Sequence, residues 1–146
     1  MNATTMEGLS TVQSKLGPAE TMNRFEAAIK AHGMGVFTRI NHAALAAEVG
    51  LTLRPTEVIL FGNPLAGTPL MQSSQTIGID LPLKALVWQD ALGKTWLSWN
   101  EPAWLAQRHE VGGAARTVAP MARVLNEFAA KATDTRTQRT NNGKET

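Results

Sequence analysis

Apolar positions change period along this chain, and the changes mark its elements. Leu9, Val12 and Leu16 anchor a weakly alternating stretch that reads as a first, edge strand. Gly17-Pro18 then opens a helix. Proline at the first helical position gives up an N–H that has no partner there, and Glu20 suits the positive end. Met22, Phe25, Ala28 and Ile29 recur at helical spacing, and Gly33 can take the left-handed conformation that ends the helix. Met34 to Ile40 alternates as a strand. Asn41 caps a short helix from His42 to Val49, closed by Gly50, and Arg54-Pro55 marks a loop. Glu57 to Phe61 follows as a continuous apolar strand, expected to be central.

That strand runs into Gly62-Asn63-Pro64-Leu65-Ala66-Gly67-Thr68-Pro69, which reads as a glycine turn with Thr68 capping a new helix. Leu70 and Met71 start this short helix, which ends before Ile77-Gly78, and Asp80-Leu81-Pro82 is a connection. Leu83 to Trp88 and Thr95 to Asn100 form a hairpin around Asp90-Ala91-Leu92-Gly93, with Trp88 and Trp96 nearly opposite. Glu101-Pro102 begins a helix carrying Trp104 and Leu105, Gly112-Gly113 is a joint, and residues 120–132 form the last helix. Met121, Val124, Leu125, Phe128 and Ala132 share one of its faces. This order predicts an α+β fold: one domain over residues 9–132, with a mostly antiparallel sheet covered by helices on one face. Residues 1–8 read as a flexible N-terminus. Residues 133–146 hold no apolar side chain and read as a disordered tail.

Charge adds little. Residues 1–130 hold ten Lys/Arg and ten Asp/Glu, so the net +2 lies in the tail. A neutral body argues against nucleic acid, whose binders gather positive charge on one face. The absence of cysteine excludes disulfides, thiolate chemistry and cysteine metal sites. No apolar run is long enough for a membrane span, and the start lacks the pattern of a secretion signal, so the expected location is the cytoplasm.

Candidate chemistry gathers around the glycine turn. Gly62 and Gly67 have the spacing of a phosphate-binding loop, but Thr68-Pro69 stands where that loop needs Lys and Ser/Thr. Nucleotide hydrolysis is therefore not expected. A helix start that accepts a small anion remains open, with Gly62, Asn63, Gly67 and Thr68 as its residues, beside the reading in which they only shape a turn. His42 is a candidate base or binding residue, but no local spacing supplies a metal site, and no cofactor is expected. Asp80 and Lys84 flank Leu81-Pro82-Leu83 and are expected near the turn, as a structural ion pair or as functional groups. Arg54 and Glu57 invite the same two readings. Trp88, Trp96, Trp99 and Trp104 can serve in the core, in a pocket or at a partner surface, but Trp96 and Trp99 point to opposite faces of one strand.

Several segments together resemble the uncharacterised bacterial and archaeal group called domain of unknown function family 302. They are Phe37-Thr38-Arg39-Ile40-Asn41-His42-Ala43-Ala44, Leu53-Arg54-Pro55-Thr56-Glu57, Phe61-Gly62-Asn63-Pro64 with Gly67-Thr68-Pro69-Leu70-Met71, Asp80-Leu81-Pro82-Leu83-Lys84, and Trp99-Asn100-Glu101-Pro102. They run in the family's order across residues 10–132. Trp99 stands where the family often has tyrosine, so no role that needs a phenol carries over. The resemblance implies a β-α-β-β-β-β-α fold that pairs as a dimer, and it carries no reaction. The function expected from sequence is thus a non-enzymatic homodimer that binds a small molecule or a protein. The alternative is an enzyme with a site around Gly62–Thr68, Asp80 and Lys84.

Overall fold

Side-chain alternation and register together build one antiparallel sheet of five strands in the order β1-β5-β4-β3-β2. In chain order the strands are β1 (Leu9–Ser14), β2 (Gly35–Asn41), β3 (Thr56–Gly62), β4 (Leu83–Gln89) and β5 (Thr95–Asn100). The helices are α1 (Pro18–Ala31), α2 (His42–Glu48), α3 (Pro64–Ser73), α4 (Pro102–Arg108) and α5 (Ala115–Thr133), with a 3-10 turn at Gln75–Ile79. The computed structural model describes residues 6–113 and 115–134. The expected flexible start over residues 1–8 and disordered tail over residues 133–146 therefore lie largely outside the described residues; Thr133, the first residue of that tail, is the buried last residue of α5. The α+β class and the five-stranded antiparallel sheet agree with the sequence reading, and β3 is an interior strand between β2 and β4.

β1 and β2 follow one another in sequence but form opposite edges of the sheet. α1 must therefore cross the whole sheet. It presents Thr21, Met22, Phe25, Ala28 and Ile29 inward, as its periodicity requires. α5 lies beside it with Leu125, Phe128, Ala129 and Ala132 buried. Beneath them sit Ile59 and Phe61 of β3, Ala85 and Val87 of β4, and Leu97 and Trp99 of β5. These alternate residues share one face of the pleat, so one face of the sheet carries the main core. Phe25, Phe61 and Phe128 meet edge to face, with ring centroids 5.4, 5.8 and 6.2 Å apart. A smaller core joins Leu70, Ile77, Leu105, Ala106 and Val118, which come from α3, the 3-10 turn, α4 and α5.

Local signals govern the turns. Asn41 Oδ1 accepts from the Ala44 amide, 2.9 Å away, and caps α2 as expected. Asp90 accepts from the Leu92 and Lys94 amides and from the Trp96 indole. The Trp96 hydrogen bond, followed by the Lys94 amide, holds the Asp90 carboxyl below its usual range. Trp88 and Trp96 pair across the hairpin and stack with centroids 6.0 Å apart.

Three expectations need correction. α3 begins at Pro64, so Asn63 is its cap and Gly67, Thr68 and Pro69 lie inside the helix. Neither Gly62 nor Gly67 takes a positive φ, so neither serves as a left-handed turn residue. Proline at the first helical position and an asparagine cap outweigh the weaker start at Thr68. α5 likewise begins at Ala115, and Pro120 lies inside it, where it forgoes one backbone hydrogen bond, rather than starting it. Glu57 pairs with Arg39, 2.6 Å away, not with Arg54, whose Nε donates to the Gln89 carbonyl. Cross-strand register places Arg39 beside the Glu57 face, and Glu26 of α1 completes the cluster.

The position of Gly67 yields a direct test. A β carbon there would lie 3.7 Å from Leu81 Cδ1, an ordinary contact. Gly67→Ala is therefore expected to stabilise the protein by about 0.5–1 kcal/mol, read as a raised urea midpoint. A loss of stability would mean that the position needs glycine after all.

Candidate functional site

Where β3 ends, the chain must leave the sheet without burying unpaired amides. Asn63 solves this: its Oδ1 accepts from the Leu65 amide at 3.0 Å, and its carbonyl accepts from the Ala66 and Gly67 amides at 2.9 and 3.0 Å. Pro64 has no amide to offer. The first-turn donors of α3 are thus already used, and this helix start has no free N–H with which to hold an anion.

Beside this turn lies a cavity of about 230 Å³. It occupies the seam between the two cores, since Met34 and Leu83 belong to one, Met71 and Met121 to the other, and Leu81 packs against both. A register shift between Val36 and Thr38 marks a bulge at Phe37 in edge strand β2. Bulges re-aim side chains, and Phe37 also lines the cavity. Gly62 lies against that ring: a β carbon there would sit 3.9 Å from Phe37 Cε2. Gly62, Asn63, Gly67 and Thr68 all line the cavity, so four of the seven sequence candidates do meet in space. Among the described residues no titratable side chain joins them in its wall. Asn63 and Thr68 are its polar side chains, and Asn63 is engaged in capping.

The other three candidates sit elsewhere. His42 and Lys84 line a shallow groove on the opposite face of the sheet, together with Trp88, Ser98 and Asn100. The Lys84 ammonium donates to the carbonyls of Asp80 and Pro82 at 3.2 and 3.1 Å, so it makes no ion pair with the Asp80 carboxylate. Strand alternation explains this, because Leu83 and Ala85 point into the core and Lys84 must point away.

Asp80 instead faces the end of α4. Its carboxylate accepts from Arg108 Nη1 at 2.8 and 3.1 Å, and its Oδ2 lies 2.5 Å from His109 Nε2. Thr76 Oγ1 lies 2.9 Å from the other ring nitrogen of His109. The His109 side chain is 8% exposed and that of Asp80 16%. Burial alone would push the Asp80 carboxyl up. The hydrogen bond with His109 and the Arg108 charge outweigh it and hold the group below its ordinary range. Thr76 and Arg108 escaped the sequence reading, which took Met34, Met71 and Met121 only as parts of their strand and helices and His109 only as a helix-end residue, and read no site role for Phe37. Their partners lie tens of residues away, and no local spacing announces them.

The lowered Asp80 carboxyl makes stability depend on pH. A depressed folded value adds stability above the ordinary value of 3.8, and that stability is lost as pH falls below it. In the native protein part of the drop in urea midpoint between pH 5 and pH 2 is therefore expected to come from Asp80. Asp80→Asn should cost about 1–2 kcal/mol at pH 7, because Arg108 and His109 lose a charged acceptor, and should flatten this decline. An unchanged acid profile in the variant would contradict the assignment.

Comparison with known proteins agrees with this architecture. The family model described as "Domain of unknown function DUF302" matches residues 10–128. A crystal structure of an uncharacterized conserved DUF302 protein from Bacillus stearothermophilus superposes with a TM-score of 0.77 at 23% identity, covering 87% of this chain and 99% of that one. Two curated proteins named fluoride-specific ion channel FluC 1, from Brucella suis and Brucella abortus, are each 58% identical over 105 residues. The match takes in 72% of this chain but only 41% and 39% of those proteins, so most of their length lies outside it. The matched family model and the shared fold lead to one conclusion: this chain belongs to the DUF302 family.

Proposed function

We propose that this protein is a small-molecule-binding domain that takes an apolar ligand in the cavity between its two cores. The observation that carries this is the wall: Met34, Met71 and Met121 with Phe37, Leu81 and Pro82, and no titratable group among the lining residues. Methionine is unbranched and polarizable, so a wall rich in it adapts to ligands of different shape. At about 230 Å³ the space suits a small molecule rather than a chain or a nucleotide. A proton-transfer reaction inside the cavity has no support, because no acid or base among the described residues faces it. Ion conduction is not carried over from the Brucella proteins, of which this chain covers about two fifths. Among the described residues no helix is long and apolar enough to cross a membrane.

A second observation favours self-association. The helices α1 and α5 cover one face of the sheet. On the other, Ile40, Val58, Leu60, Leu86 and Trp88 are only part-buried. The β2–β3 connection adds Leu45, Val49, Leu51 and Leu53, which are 49, 72, 66 and 46% exposed. An apolar surface of this kind calls for a partner, and a two-fold dimer is the commonest way to cover one.

Each part has its own test. With methyl-labelled methionine, benzene or indole is expected to shift the Met34, Met71 and Met121 signals, and Ala66→Trp, which fills the cavity, is expected to abolish the shift. Unmoved methionine signals across a panel of small apolar probes would refute the cavity reading. Light scattering is expected to give twice the 15.7 kDa chain mass, falling to one chain mass in the double variant Val49→Glu with Leu51→Glu. A native protein that elutes as a monomer at high concentration would refute self-association.

A further inference from the structure

The Thr76, His109 and Asp80 side chains form a continuous relay that the binding reading does not use. Asp80 is ionised and can only accept, so its contact with His109 requires a proton on Nε2. A neutral His109 then has its lone pair on Nδ1, which faces Thr76 Oγ1 at 2.9 Å. In that neutral form the threonine hydroxyl donates to the lone pair. A hydroxyl, an imidazole and a carboxylate in this order are the parts of an activated nucleophile: the base takes the hydroxyl proton and the carboxylate holds the ring in the needed tautomer. Two segments supply them: the 3-10 turn holds Thr76 and is capped by Asp80, and His109 caps the end of α4. Thr76 itself is exposed and open to a reagent.

We infer that Thr76 is an acyl-accepting nucleophile, with His109 as its general base and Asp80 as the residue that positions His109, and that its donor is an activated ester of a small apolar acid. The acyl class rests on the cavity reading. Gly78, two residues along, lines the cavity, while Thr68 and Met71 are shared between the cavity and a surface groove that reaches Gln75. Thr76 lies between Gln75 of the groove and Gly78 of the cavity, so a donor whose apolar acyl group is seated there presents its carbonyl to the segment that carries Thr76. In the step, Thr76 Oγ forms a bond to the carbonyl carbon as its proton passes to His109 Nδ1. The bond from that carbon to the leaving oxygen then breaks, and the leaving oxygen takes the proton back from Nδ1. The products are a threonine ester and a free alcohol or phenol. Water can reverse the acylation by the same route, with His109 drawing a proton from water as Thr76 leaves.

The test is intact mass spectrometry after exposure to p-nitrophenyl acetate, with peptide mapping of the adduct. One acetyl group is expected on Thr76, removable by hydroxylamine as an ester and absent from Thr76→Val. Thr76→Ser should still be labelled, and His109→Gln should be labelled about a hundredfold more slowly. Asp80→Asn should slow labelling, and Asp80→Glu should restore it in part, which a merely structural contact would not do. No ester on Thr76 in the native protein, or equal rates in native and His109→Gln protein of unchanged near-ultraviolet circular dichroism, would overturn the inference. Acetate probes the relay alone. Faster labelling by p-nitrophenyl butyrate than by acetate is expected from the cavity. Equal rates with a labelled Thr76 would overturn the acyl class and leave the relay standing.

Discussion

Phe61 is the residue on which the rest of this structure depends. Its ring is fully buried and meets Phe25 of α1 and Phe128 of α5 edge to face. Such contacts add roughly 0.5–1.5 kcal/mol each beyond the area they bury. They also set an orientation, because edge-to-face rings accept only a narrow range of helix positions. Both covering helices are thus held against one strand. That strand ends one residue later, at Gly62, where the chain turns out of the sheet into α3. The most strongly anchored point of the core is therefore the neighbour of the cavity.

The topology explains why a cavity forms there. α1 crosses the sheet from edge to edge, and α5 lies beside it, so together they fill the main core. α3, the 3-10 turn and α4 belong to the long connections around β4 and β5, and they pack against each other and the start of α5. Two cores built by different elements meet along a seam. Methionines from both sides line it, and flexible thioether side chains can fill such a space or yield it to a ligand. The same arrangement leaves the far face of the sheet without a long covering helix, and His42, at the start of the short α2, and Lys84 fall on that face rather than near the cavity.

Asp80 links these parts. Through Arg108 and His109 it ties the end of α4 to the segment that carries Gly78, Leu81 and Pro82 in the cavity wall. A part-buried carboxylate is costly unless its oxygens are engaged, and here both accept hydrogen bonds. The network therefore holds one wall in place, and it is also the one spot among the described residues where a hydroxyl, an imidazole and a carboxylate are arranged in series.

What the sequence determined by itself was local. Period-two and period-3.6 patterns located the strands and α1, and Gly33, Gly50 and Gly93 take the positive φ that their turns require. The Asn41 cap and the Trp88–Trp96 pair were legible because their partners lie within a few residues or across a short hairpin. The Gly62–Thr68 stretch was legible as a place but not as a shape, since two competing helix starts lie five residues apart and only the folded chain shows that Asn63 and Pro64 win. Tertiary structure decided everything that needs distant partners. It sent Lys84 to the face opposite its neighbours, gave Glu57 to Arg39, joined three methionines into one wall and set His109 between Thr76 and Asp80. A backbone pattern specifies which face a side chain takes, but which groups meet depends on how the elements stack, and stacking is a property of the whole core.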